Sequence, residues 1–260
     1  MKTLKDIKLF IIDMDGTFYL GNRIFEGSME FLEKVRTSGK KFMFLTNNSS
    51  RSSKDYIVKL ARMGINIENN EIFTSGEATC LYLKDKYPAD TKYFVMGTNS
   101  LVEEFKNHGL IIDNENPDII ILGYDTSITY EKLRKTALFL RKGLPYIATH
   151  PDINCPSPEG LIPDAGSYIS LFETSVGRKP DLIIGKPNKY IIDMAMKKAG
   201  IATNAAIIGD RLYTDIASGI NARIETILVL SGETTLKDLE HSKIKPNYVL
   251  NSIKDLVDKI

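Results

Sequence analysis

Short apolar runs rich in β-branched residues alternate along this chain with segments whose apolar residues recur at helical spacing, and that alternation limits the fold more than any other feature. Ile7–Ile12 is apolar except for Lys8 and is stopped by Asp13-Met14-Asp15-Gly16, the pattern of a short buried strand. Ser28 to Ser38 carries Phe31, Leu32 and Val35 on one stripe, with Gly39 as its stop, which predicts a helix. Lys41–Leu45 reads as the next strand. A second helix follows, opened by a capping box at Ser52 and Asp55 and closed by Gly64. Tyr93–Met96, Ile119–Leu122, Tyr146–Ala148, Leu182–Ile184, Ala206–Ile208 and Thr226–Leu230 repeat the strand pattern. Ser100–Asn107, Tyr130–Lys142 and Lys189–Ala199 repeat the helical one. Strand followed by helix, many times over, implies parallel sheets covered by helices on both faces, a doubly wound α/β fold.

In such folds the chemistry lies outside the carboxyl ends of the strands, and four polar clusters directly follow apolar runs. Asp13-Met14-Asp15-Gly16-Thr17 places two carboxylates at i and i+2, on the same side of an extended backbone, with a glycine to turn the chain. Two acids this close repel, which splits their proton affinities and favours a nearby cation. An EF-hand loop also starts with spaced acids but needs Gly at position six and Glu at position twelve. Those positions hold Phe18 and Ile24, so that reading fails. Thr46-Asn47-Asn48-Ser49-Ser50 offers hydroxyl, amide and backbone N–H donors suited to phosphate. Gly185-Lys186-Pro187-Asn188 fixes a lysine between Gly and Pro, placed to hold a phosphate or balance a carboxylate. Gly209-Asp210-Arg211-Leu212-Tyr213-Thr214-Asp215 adds two acids of the oxygen-ligand type that Mg²⁺ prefers. Each cluster alone also fits an ordinary turn or a helix cap. Together they supply an acidic nucleophile, a metal cradle, donors and a cation, which are the requirements of phosphoryl transfer.

Composition removes several alternatives. With 34 basic and 33 acidic residues the formal net charge is +1, which gives no broad field for gripping nucleic acid. Cys80 and Cys155 stand far apart with no CxxC, so neither a disulfide framework nor a zinc site is expected. No stretch approaches the roughly 20 apolar residues of a membrane helix, and the amino-terminal apolar run is too short for a signal sequence. The expected partner is a small phosphorylated metabolite, without nucleic acid or membrane, and the expected location is the cytoplasm.

Taken together, the four clusters resemble the haloacid dehalogenase superfamily, and within it the NagD-like phosphatases, which include 4-nitrophenylphosphatases and sugar-phosphate phosphatases. The resemblance extends through Gly123-Tyr124-Asp125, Thr129 to Leu133 and Ala148-Thr149-His150-Pro151-Asp152. It implies a Rossmann-like core with an inserted α/β cap, and a phosphatase dependent on Mg²⁺ that acts on small phosphomonoesters of the sugar phosphate, nucleotide or 4-nitrophenyl phosphate type. Asp13 would be the nucleophile that becomes an aspartyl phosphate. Asp15 would be the acid that protonates the leaving oxygen and then the base that activates water. Thr46, Asn47 and Lys186 would hold the phosphoryl oxygens. Asp13, the backbone carbonyl of Asp15 and Asp210 would ligate Mg²⁺, with Asp215 in support. Asp15 also separates this chain from dehalogenases, which lack an acid there, and from P-type ATPases, which carry Thr.

Thr46 and Lys186 must meet although 140 positions separate them, a gap too long for one sheet connection. The expected division is core over 1–79 and 180–260, with a cap over 80–179 that excludes water and selects substrate. Thr149, His150, Asp152, Asp164 and Tyr168 are the cap residues expected to contact substrate. The family often has Asn where His150 stands and Gly where Asp164 stands. His150 reads first as a structural turn residue and second as a base; His108 and His241 read as solvent-facing. A homodimer formed through the cap is a further implication of the resemblance. Two other functions fit the same residues: a phosphotransferase or mutase that passes phosphate to another sugar, and a metabolite-binding regulator on this scaffold.

Overall fold

The computed structural model describes residues 3–157 and 159–260. The chain begins with β1 (Leu9–Ile12), a small hairpin of β2 (Tyr19–Leu20) and β3 (Arg23–Ile24), helix α1 (Ser28–Thr37), β4 (Lys41–Thr46), α2 (Ser53–Arg62), β5 (Ile72–Thr74) and α3 (Ser75–Lys86). It continues through β6 (Lys92–Met96), α4 (Asn99–Asn107), β7 (Ile111–Ile112), β8 (Ile119–Leu122), α5 (Tyr130–Arg141), β9 (Tyr146–Ala148), a second hairpin of β10 (Asn154–Ser157) and β11 (Gly160–Pro163), α6 (Ala165–Val176) and β12 (Leu182–Ile183). It closes with α7 (Lys189–Ala199), β13 (Ala205–Gly209), α8 (Ala217–Ala222), β14 (Glu225–Val229), α9 (Leu236–His241) and β15 (Tyr248–Leu250).

The strands form two large sheets. One has the order β15-β14-β13-β1-β4-β5 and the other β12-β9-β8-β6-β7, and every pairing within both is parallel. The first sheet takes strands from both ends of the chain, and the second lies between them in sequence. Alternation within β1 sends Phe10 and Ile12 into a cluster with Phe31, Phe44 and Tyr56 on one face. Leu9 and Ile11 face the opposite way, into a cluster that also contains Val95, Ile119, Ile121 and Ile147 of the second sheet. That shared cluster, with Leu83, Leu101 and Phe105 of the helices between, joins the two sheets through apolar side chains.

The predicted helix starts and stops appear where the local chemistry required them. Ser52 caps α2 and Asp55 completes its capping box, while Gly39, Gly64 and Gly200 end their helices with positive φ. Helices α3, α6, α8 and α9, both hairpins, and strands β5, β7 and β15 add to the elements that periodicity marks, and two features are instructive. The strand at Leu182–Ile183 pairs with β9 and so lies in the second sheet, beyond the division expected at 179–180. Periodicity marks a strand without saying which sheet accepts it. Helix α3 escaped the reading because Ser75 through Cys80 are all buried, which leaves no polar face to reveal its period.

At the seam between the sheets, Glu104 of α4 is buried and its Oε1 accepts from the Ser53 N–H at the start of α2, at 3.1 Å. Its Oε2 has no partner among the described residues. Burial pushes this carboxyl up to about 8, with Glu77 adding to the shift and the Ser53 bond opposing it. The folded chain therefore holds a proton here that the unfolded chain releases near pH 4.5, so stability falls as pH rises from about 4.5 to about 8. Replacing Glu104 with Gln should change thermal stability little at pH 5 and raise it at pH 8, by about 1–3 kcal/mol. Parallel melting curves across that range test this, and a constant difference between the two proteins would contradict it.

Candidate active site

Strands β13, β1 and β4 are neighbours in the sheet, and their carboxyl ends deliver Asp210, Asp13 and Thr46 side by side. Asp13 follows β1 directly, and its N–H still donates to Ile208 O at 2.9 Å, which fixes the start of the loop. Gly16 then turns the chain at φ +92°, where a Cβ would lie 2.5 Å from Asp210 Oδ2; glycine is required both for the backbone and for the approach of Asp210. Gly209 plays the second part for Asp215, whose side chain occupies the space a Cβ would take.

Lys186 arrives from the second sheet, just past β12, and is buried. Its ammonium lies 2.5 Å from Asp13 Oδ1 and 2.6 Å from Asp215 Oδ1. Burial opposes its charge, but Asp13 and Asp215 more than offset this, so its pKa is raised. Asp13 is raised well above the ordinary carboxylate value by burial, which Lys186 only partly counters, with Asp215 and Asp210 adding repulsion. Burial and then Asp215 push Asp210 up to about 6. Asp210 Oδ1 accepts from Thr17 Oγ1 at 3.0 Å and Oδ2 from Glu233 N–H at 2.8 Å, which leaves lone pairs on both oxygens. Asp215 spends Oδ1 on Lys186 and Oδ2 on the Arg211 N–H at 3.1 Å.

Asp13, Asp210 and Asp215 offer carboxylate oxygens within 4.8 Å of one another. One lysine cannot neutralise three buried acids, and an oxygen-only donor set suits a hard divalent cation. The residues present therefore fit Mg²⁺.

Asp15 lies on the same loop and lines the cavity beside Asp13. Burial raises its pKa, opposed by the charges of Lys59, Arg211 and Arg51. Burial raises Asp13 in the same direction, so proton affinity does not separate the roles of the two acids.

Asn47 serves as a bridge. Its amide donates to Asp152 Oδ1 and to Lys186 O, both at 3.0 Å, and its Oδ1 accepts from the Lys186 N–H at 2.8 Å. The expected phosphate donor is thus occupied in this arrangement, holding the lysine loop and a residue of the second-sheet region. Thr46 lines the cavity, and its hydroxyl accepts from the Asn48 N–H at 3.1 Å.

The five residues expected to contact substrate fall into two groups. Asp152 and Asp164 line the cavity. Asp152 Oδ2 also takes Arg211 Nη1 at 3.3 Å, and Asp164 caps α6 by accepting from Ala165 N–H. Thr149, His150 and Tyr168 are placed behind the wall. Thr149 Oγ1 meets Ser49 Oγ and His150 Nδ1, each at 2.9 Å. His150 is fully buried, with Nε2 at 2.9 Å from Asp164. Burial lowers its proton affinity, but Asp164 more than compensates and the pKa is raised. Enclosed between Thr149 and Asp164, the imidazole has both ring nitrogens engaged by the protein. Tyr168 donates its hydroxyl to Asp125 O at 3.0 Å. A polar residue inside a loop looks the same in sequence whether it faces a ligand or another loop.

Arg211 and Cys155 also line the cavity and were not singled out from sequence. Adjacency to Asp210 within the GDRLYTD run is the sequence signal for Arg211. Cys155 gave none; burial pushes its thiol up to about 12, so it is an inert wall.

The haloacid dehalogenase-like hydrolase family profile matches residues 10–111, and a HAD-hydrolase-like profile matches residues 183–256. The acid sugar phosphatase of Staphylococcus aureus is 35% identical over 259 residues, 99% of this chain and 98% of that one. The chain belongs to the haloacid dehalogenase-like hydrolase family. The 4-nitrophenylphosphatase structure from Thermotoga maritima superposes with a TM-score of 0.95 at 48% identity, over 99% of both chains. NagD from Escherichia coli gives 0.87 at 33% identity, over 96% of this chain and 98% of that one. The glycerol phosphate phosphatase of Mycobacterium tuberculosis, in complex with magnesium, gives 0.92 at 26% identity, over 100% of this chain and 80% of that one. Within the family the chain is a NagD-like phosphatase, and among the described residues no helix is long and apolar enough to cross a membrane.

The acidic cluster makes a direct prediction. Millimolar Mg²⁺ should raise the melting temperature, since a ligand at 100 times its Kd stabilises by about 2.7 kcal/mol, and Asp210→Asn should abolish most of that rise. An unchanged shift in the variant would remove Asp210 from the metal site.

Proposed function

We propose that this chain is a Mg²⁺-dependent phosphatase that hydrolyses small phosphomonoesters, of the sugar phosphate or 4-nitrophenyl phosphate type, through an aspartyl phosphate on Asp13. The observation that carries the reading is the place of Asp13, in contact with Lys186, beside Asp15 and within reach of Asp210. The activities of the relatives, an acid sugar phosphatase and a 4-nitrophenylphosphatase, support the substrate class.

In this reading an Asp13 carboxylate oxygen attacks phosphorus while the bond to the leaving oxygen breaks. Asp15 gives its proton to that oxygen as it departs. The Asp15 carboxylate then takes a proton from water, whose oxygen attacks phosphorus, and the bond to Asp13 breaks to release phosphate. Lys186 balances charge on Asp13 and on the phosphoryl oxygens in both steps. Mg²⁺, held by Asp13, Asp210 and the Asp15 carbonyl with Asp215 in support, would offset the repulsion between a carboxylate and an anionic phosphate. Thr46 and the backbone of its loop would donate to the phosphoryl oxygens, with the Asn47 amide available once released from Asp152. The cavity measures about 30 Å³, room for two or three waters, so the region that carries Asp152 and Cys155 must withdraw to admit a substrate. The proposed substrates are small metabolites, and the proposed place of action is the cytoplasm.

Release of inorganic phosphate from a panel of sugar phosphates in Mg²⁺ tests the reading, and Asp13→Asn should lower turnover by about 10³-fold or more, as expected when a nucleophile is removed. Asp15→Asn should separate the two steps: 4-nitrophenolate leaves without needing a proton, so about one equivalent should burst out before slow turnover. Full turnover by Asp13→Asn would end the proposal.

A further inference from the structure

Beside the catalytic cavity, on the side of Asp15, a second and larger hollow of about 780 Å³ opens to solvent, lined by Asn22, Arg51, Asp55, Val58, Lys59, Arg62, Met63 and Ser100. Three of these are cations and one is an acid. Asp55 is already engaged by Ser52, whose N–H and Oγ donate to its Oδ2 at 2.9 and 2.7 Å, and by Ser100. Arg51, Lys59 and Arg62 have no carboxylate partner among the described residues. Lys59 is half-buried, its ammonium 3.0 Å from the Tyr19 hydroxyl and 4.1 Å from the Tyr19 ring centroid. The backbone of Tyr19 forms an isolated β-bridge with that of Asp15. Lys59 and Arg51 are both within electrostatic reach of the Asp15 carboxyl, which places this hollow next to the group that faces the leaving oxygen.

Burying part of a lysine beside two arginines is unfavourable unless negative charge is near; Asp55 in the hollow and Asp15 beside it set two carboxylates against three cations, which leaves the hollow net positive. By contrast, the wall of the catalytic cavity contributed by the second-sheet region carries Asp152 and Asp164. We propose that Arg51, Lys59 and Arg62 form a subsite for a second anionic group on the leaving half of the substrate, a carboxylate or a further phosphate. The inference rests on the phosphatase reading above and narrows its substrate class to phosphomonoesters with a second negative charge. The alcohol released would itself be an anion, so the reaction that consumes it must accept a phosphorylated or carboxylated alcohol.

Matched substrates test this: glycerol 3-phosphate against 3-phosphoglycerate, which adds a carboxylate, and glucose 6-phosphate against glucose 1,6-bisphosphate, which adds a phosphate. In the wild type the charged member of at least one pair should have the higher kcat/KM, and the pair that shows it tells carboxylate from phosphate. The preference should shrink between 0.05 and 1 M salt, as the Debye length falls to about 3 Å. Arg51→Gln and Arg62→Gln lie on the surface and should fold normally. Each should reduce the charged-to-neutral ratio of kcat/KM by about fivefold, and the double variant by more. Lys59→Met also alters the surroundings of Asp15, so a loss on every substrate there is expected and the arginines decide. Equal activity on charged and neutral substrates, or an unchanged ratio in both arginine variants, overturns the subsite while leaving the phosphatase reading intact. No phosphate from any substrate overturns both.

Discussion

The contact of one buried ammonium with two carboxylates, Lys186 with Asp13 and Asp215, organises everything around it. A lysine this enclosed keeps its charge only because acids surround it, and acids this enclosed ionise only because the lysine is there. The balance is incomplete, since Asp210 lies within the same cluster and, among the described residues, its carboxylate accepts from Thr17 and a backbone N–H. Burial therefore raises both Asp13 and Asp210. Well-packed apolar residues would be cheaper for folding alone. The arrangement makes sense for a site that is completed by a cation and then receives an anion.

The fold brings these charges together by two routes. Adjacent parallel strands present Asp210, Asp13 and Thr46 at one edge, so their relative positions follow from the hydrogen-bonded register of β13, β1 and β4. Lys186 comes by the other route, on the segment that returns from the second sheet, and Asn47 locks that segment in place by bonding both its N–H and its carbonyl. A change in the second sheet's packing is thereby transmitted to the lysine.

Much of this was legible in the sequence, for reasons that differ by residue. β1, β4 and β13 could be read because a strand buried on both faces must be apolar throughout, and the acids that end them break the run abruptly. Lys186 was legible because Gly and Pro on either side mark a fixed turn. For Thr149, His150 and Tyr168 the sequence shows polar residues but not their partners, Ser49, Asp164 and Asp125 O, which tertiary packing sets. The roles of Arg51 and Lys59 were invisible for the same reason: on α2 and the turn before it they look like a solvated face, and only the fold sets them beside Asp15.

The polar bridge across the cavity has a consequence for ligand entry. Asn47 and Arg211 both bond Asp152, and these donors are the kind an incoming anion needs. A phosphate entering the cavity must compete with Asp152 for them, and a carboxylate that loses two donors while still buried is strongly disfavoured there. Occupancy of the site and retention of the Asp152 contacts therefore oppose each other. The same exchange that admits substrate weakens the hold of the second-sheet region on the core, with the protein's own carboxylate standing where the substrate's negative charge will go.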